Sequence, residues 1–151
     1  MDKREVEYFD PEYKALHDSL GKAMKLPLIE LGSASEDGSK VIVFGGADND
    51  PGRYYLFDKG AKRLNELFLA RPELENRKLA EVKPVSVRAA DGTMIPSYLT
   101  LPPGKEAKNL PAVVLPHGGP SSRDEWGFDW LAQYLAARGY AVLQPNYRGS
   151  A

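Results

Sequence analysis

Leu115-Pro116-His117-Gly118-Gly119-Pro120 sets two adjacent glycines between prolines at the end of an apolar run, and its reading decides the fold. The run itself, Ala112-Val113-Val114-Leu115, is bounded by Pro111 and Pro116 and shows no polar alternation, which predicts a strand buried on both faces. A loop at the end of such a strand falls at the carboxyl edge of a sheet, where open α/β folds receive ligands. Glycines at that edge let a backbone N–H approach a reacting oxygen with no side chain in the way, as an oxyanion hole requires. A tight turn into a following helix would use the same residues, and both readings stand at this point.

Composition narrows the classes. The chain has 151 residues, 42% hydrophobic and 27% charged, enough apolar content for one sizeable core or two partial ones. A net charge of −1 with scattered Lys and Arg gives no electrostatic footprint for nucleic acid or an anionic membrane. No apolar run is long enough to span a bilayer, and the first residues are charged rather than signal-like. With no cysteine and two histidines, thiolate nucleophiles, disulfides and a zinc cage are excluded, and no cofactor or metal is expected. The compartment is not readable from these features.

Working outward toward the N-terminus, Asp10-Pro11 opens a stretch with Tyr13, Leu16, Leu20 and Met24 three or four residues apart. This predicts an amphipathic helix to about Lys25, with Asp10 as N-cap and His17 as a surface residue lacking a partner pattern. Four β-type runs follow, Leu28–Leu31, Val41–Phe44, Arg53–Phe57 and Leu64–Leu69, separated by turn signals, and they predict an antiparallel meander. About forty residues of meander match one propeller blade, with a small α+β subdomain as the plainer alternative. Arg71 to Leu79 reads as a short helix or linker. The expected divisions are therefore a leading helix over 1–27, a blade-like meander over 28–82 and the start of a second domain over 83–151.

In the last third, Val85-Ser86-Val87 and Ile95 to Leu101 flank Asp91-Gly92, a hairpin signal. After the glycine loop, Ser122 and Glu125 have capping-box spacing, and Trp126, Trp130 and Tyr134 with Leu131 and Leu135 predict a helix whose aromatic stripe faces a sheet. Gly139 ends that helix and Tyr140-Ala141-Val142-Leu143 begins another strand. Hairpin, strand, helix and strand in this order predict the opening of a largely parallel sheet.

Leu110 to Pro120, Arg123 to Phe128 and Arg138 to Ser150, taken in that order, closely resemble the prolyl oligopeptidase family of serine peptidases, nearest its acylaminoacyl-peptidase and dipeptidyl-peptidase-like branch. Asp37-Gly-Ser-Lys-Val, Asp50 to Asp58, Lys83 to Val87 and Asp91 to Pro102 resemble the last propeller blade of that family running into its α/β-hydrolase domain. The resemblance implies a propeller that screens peptide substrates by size, and a Ser-Asp-His triad that attacks a peptide or acyl-peptide carbonyl. It also implies that His117, Gly118 and Gly119 form one half of the oxyanion hole, with the Gly119 N–H as the donor. Some relatives carry a tyrosine donor where His117 stands; here the expected role of His117 is to orient the loop, with donation by its ring as the alternative. Tyr147 and Arg148 would support the neighbouring loop, Arg148 by anchoring backbone carbonyls.

None of the nine serines lies in Gly-x-Ser-x-Gly, and neither histidine can close the triad in the family's order. An α/β-hydrolase domain commonly needs about 200–250 residues. The expectation is thus a fragment ending before its nucleophile, inactive alone, with an open strand edge through which it self-associates. An esterase or lipase of the same fold would not need a blade ahead of it. A non-enzymatic propeller-type binding module would have no use for the glycine loop.

Overall fold

The computed structural model describes residues 5–119 and 121–150, so Pro120, the last residue of the glycine stretch, lies outside the described residues. The chain forms two compact units, Val6–Arg77 and a second that takes up the chain from Lys78 onward.

In the first unit, helix α1 (Pro11–Met24) starts where Asp10 accepts the Glu12 N–H at 2.8 Å, and it stops at Lys25, whose φ of 54° is left-handed. Four strands follow, β1 (Leu28–Ala34), β2 (Lys40–Ala47), β3 (Asp50–Asp58) and β4 (Arg63–Leu69), paired antiparallel in sequence order. The sheet is open and has the form of a propeller blade. Period-two alternation decides which side is dry: Val41 and Val43 of β2 join Ile29 of β1 and Leu20 of α1 in the core, with Leu16, Met24, Tyr55 and Phe57 packed around them. Residues one step out of phase point the other way, where the rings of Phe44, Tyr54 and Phe68 follow one another at 5.2 and 5.1 Å. Gly52 permits this close packing, because its φ is +96° and a Cβ there would stand 2.2 Å from the Phe44 ring. His17 differs from its expected surface role: it is half-buried, with Nε2 at 3.3 Å from the Ile29 carbonyl and its ring against Tyr8. It helps dock α1 on β1.

The β1–β2 turn is built on Asp37. Its carboxylate accepts from the Ser35 hydroxyl at 2.6 Å and from the Ser39 N–H and hydroxyl at 3.0 and 2.8 Å. These bonds, that from Ser35 foremost, lower its pKa from 3.8 to about 2. A carboxylate held below its unfolded value contributes stability above pH ~4 that is lost as the pH falls through the folded value. Asp37→Asn is therefore expected to destabilise at pH 6, with the deficit vanishing toward pH 2; paired urea titrations at the two pH values check this.

A single 3-10 turn at Pro72–Leu74 stands where a short helix or linker was expected. The second unit has strands β5 (Val82–Arg88), β6 (Met94–Thr100), β7 (Ala112–Val114) and β8 (Ala141–Pro145), with helix α2 (Trp130–Ala137) between the last two. The sheet order is β5-β6-β8-β7. Only β7 and β8 run parallel, because a crossover through α2 joins them; β5–β6 is a hairpin and β6–β8 is antiparallel. The expected largely parallel sheet is thus mixed among the described strands. A partial blade leading into an α/β unit is the architecture.

Two expectations fail here. β7 is not buried on both faces: it is the edge strand, and Val114 is 63% exposed. Absence of alternation marks a strand with two apolar faces, but it does not supply the layers that would cover them. Nor does the helix begin at a Ser122 cap. It begins at Trp130, capped by Asp129, whose carboxylate accepts the Ala132 N–H at 2.8 Å. Trp126 precedes it and is buried, its indole N–H donating to the Val82 carbonyl at 2.8 Å. Trp130 and Tyr134 are exposed, and α2 buries Ala132, Gln133 and Ala136 instead. The buried glutamine is satisfied by backbone: it accepts the Ala80 N–H and donates to the Ala80 carbonyl, both at 2.8 Å.

Candidate active site

The glycine loop takes its position from β8. Beyond the paired residues Val113↔Val142 and Val114↔Leu143, the Leu115 N–H donates to the Leu143 carbonyl at 2.8 Å, and the chain then turns out of the sheet at Pro116. Gly118 and Gly119 are exposed, and among the described residues no hydrogen bond takes up the N–H of either. A Cβ on Gly118 would meet nothing within 4 Å, and one on Gly119 would meet only the Tyr147 hydroxyl, at 3.9 Å. The loop is thus exposed, and among the described residues both of its glycine amides are unpaired.

His117 faces the segment after β8. Its ring stacks on Tyr147 with centroids 4.4 Å apart and planes at 15°. The Tyr147 hydroxyl donates to the His117 carbonyl at 3.0 Å. The His117 Nδ1 lies 2.7 Å from the Gly118 carbonyl and its Nε2 lies 2.6 Å from the Ser150 hydroxyl. Of the sequence candidates, His117 and Tyr147 are therefore brought together beside Gly118 and Gly119. Arg148 turns away. Its guanidinium pairs with the carboxylate of Asp91 in the β5–β6 turn, rather than with the backbone carbonyls expected of it, and the Asp91 carboxyl is held below its ordinary value by the Thr93 N–H and by Arg148.

Three participants had no role assigned from the sequence. Ser150 is the last residue of the motif that was read, but nothing in a linear string shows its reach across 33 positions to His117. Asn146 is buried and clasps Asp124, its side-chain oxygen accepting the Asp124 N–H at 2.8 Å and its amide donating to the Asp124 carbonyl at 2.9 Å. Burial raises the Asp124 carboxyl above its ordinary pKa; His117 opposes this rise, Asp129 adds to it, and among the described residues the Oδ2 atom has no hydrogen-bond partner. Such a clasp ties the segment after the glycine loop to the segment after β8. Among the described residues no cluster of three or more His, Asp or Glu could hold a metal ion, and no helix is long and apolar enough to cross a membrane.

No family model matches the chain. Among curated proteins it is 37% identical to dipeptidyl aminopeptidase BIII of Pseudoxanthomonas mexicana, over 96% of this chain and 23% of that protein. It is 35% identical to dipeptidyl peptidase family member 6 of Caenorhabditis elegans, over 78% of this chain and 19% of that one. The chain therefore spans about a fifth of the length of these relatives. Among solved structures, a puromycin-hydrolyzing peptidase of Mycobacterium tuberculosis superposes with a TM-score of 0.59 at 28% identity, over 76% of this chain and 18% of that one. Relatives in sequence and in structure alike point to the group of serine peptidases that holds the prolyl oligopeptidases, dipeptidyl peptidases and acylaminoacyl peptidases, and to a part of that fold.

Proposed function

We propose that these residues supply one half of the oxyanion hole of a serine peptidase that cleaves peptide or acyl-peptide bonds, with the Gly119 N–H as the donor. The observation that carries this reading is the pair of unclaimed amides at Gly118 and Gly119, exposed at the carboxyl end of a parallel strand in a chain similar to dipeptidyl peptidases. An N–H fixed in this way stabilises the negative charge that develops on a carbonyl oxygen under attack, and it needs no reorganisation when the charge appears. His117 and Tyr147 then serve as supports of the glycine loop, while Arg148 ties the segment after β8 to Asp91. The attacking serine, with its Asp and His, is supplied by residues other than these, since no Gly-x-Ser-x-Gly occurs here. The serine adds to the carbonyl, the tetrahedral intermediate expels the amine, and water releases the acyl group.

The test uses a dipeptidyl p-nitroanilide and a fluorophosphonate. The protein that carries this chain is expected to release p-nitroaniline until the serine reagent stops it, while the 151 residues alone release none. Turnover by the 151 residues alone, or turnover in the larger protein that the reagent leaves untouched, overturns the proposal.

A further inference from the structure

We infer that the Gly118 carbonyl and the Ser150 hydroxyl together hold the proton of His117 on Nδ1, so that the imidazole has no N–H free for a ligand beside the glycine loop. The argument is one of donors and acceptors. A carbonyl oxygen can only accept, so the 2.7 Å contact between Nδ1 and the Gly118 carbonyl requires Nδ1 to carry the proton. In the neutral ring Nε2 is then an acceptor, and the hydroxyl 2.6 Å away on Ser150 must donate to it. Each nitrogen has one partner: the Gly118 carbonyl, which can only accept, specifies the tautomer, and the Ser150 hydroxyl, which can donate or accept, reinforces it by donating. Stacking on Tyr147 fixes the ring plane, and the Tyr147 hydroxyl, bonded to the His117 carbonyl, fixes the backbone beneath it.

Ser150 is therefore a positioning residue that acts through His117. One consequence rests on the proposed peptidase reading: with both ring nitrogens engaged, negative charge on a substrate oxygen falls to the backbone amides rather than to the imidazole. The tautomer itself does not depend on that reading.

Two-bond proton–nitrogen NMR correlations of the 151-residue chain at about pH 8.5, well above the ordinary histidine pKa of about 6.5, read the tautomer directly. His17→Gln identifies which of the two histidine signals belongs to His117. The wild-type chain is expected to show protonated Nδ1 and bare Nε2 at His117. Ser150→Ala, which deprives Nε2 of its donor and leaves only the Gly118 carbonyl to hold the proton on Nδ1, should raise the share of the Nε2–H form, and Ser150→Thr, which keeps a hydroxyl, should restore the wild-type pattern. A wild-type ring protonated on Nε2, or a pattern that Ser150→Ala leaves unchanged, overturns the inference. Should Ser150→Ala fail to fold, the wild-type spectrum decides the tautomer, and loss of the pattern in a folded Ser150→Thr chain overturns the assignment to the hydroxyl. No substrate is involved, so a negative result here leaves the peptidase reading standing, and a failed hydrolysis assay leaves the tautomer standing.

Discussion

Gly119→Pro, introduced into the protein that carries this chain, is expected on the proposed peptidase reading to lower kcat about 10²–10³-fold, the loss of about 3–4 kcal/mol that follows removal of one oxyanion donor. Proline deletes the N–H and adds no polar group. Because the interaction is made chiefly in the transition state, the loss should fall on kcat and on kcat/KM alike, with KM little changed. Gly119→Ala separates chemistry from folding. A methyl group there has the Tyr147 hydroxyl as its nearest neighbour at 3.9 Å, an ordinary contact, so thermal stability should stay within about 0.5 kcal/mol of wild type. Steady-state kinetics of Gly119→Pro beside a melting curve checks the claim. A retained kcat would move the donor to another amide.

Gln133→Leu is expected to destabilise the second unit by about 2–6 kcal/mol. The side chain is 4% exposed and its amide makes both hydrogen bonds of Ala80, itself 2% exposed. Leucine fills a similar volume, yet it leaves an N–H and a carbonyl unpaired, each at a cost of about 1–3 kcal/mol. Trp130→Ala provides the contrast: a far larger side chain is removed, but from a position 60% exposed, and the loss should stay under about 1 kcal/mol. Urea unfolding of the two variants distinguishes the effect of buried polar pairing from that of side-chain size. An unchanged midpoint for Gln133→Leu would show that water can replace the amide.

What could be read from the string follows from what is local. Asp10-Pro11 specified the start of α1 because capping and a preset φ act within one turn, and the four runs of the meander were legible because alternation and turn residues are written in adjacent positions. α2 shows the limit. Ser122 and Glu125 satisfy the spacing of a cap, but Asp129 caps the helix in fact, and Trp130 and Tyr134 of the expected buried stripe lie outward while alanines and a glutamine lie inward. Which face is dry is decided by Ala80, 53 positions away, and no periodicity carries that information. The candidate site divides in the same manner. The glycines announced themselves by type, whereas Ser150, Asn146 and Asp124 gained their roles only when β7 and β8 came side by side.

Residues 141–150 give β8 two neighbours, β6 and β7, and then in succession place Asn146 on Asp124, Tyr147 and Ser150 on His117, and Arg148 on Asp91. Ten consecutive positions thus set the spatial address of three otherwise separate segments. Tolerance to changes in chain length must accordingly be uneven. The exposed connection at 105–109 can grow or shrink without consequence for the glycine loop, whereas one added residue after Pro145 would displace every one of those partners at once.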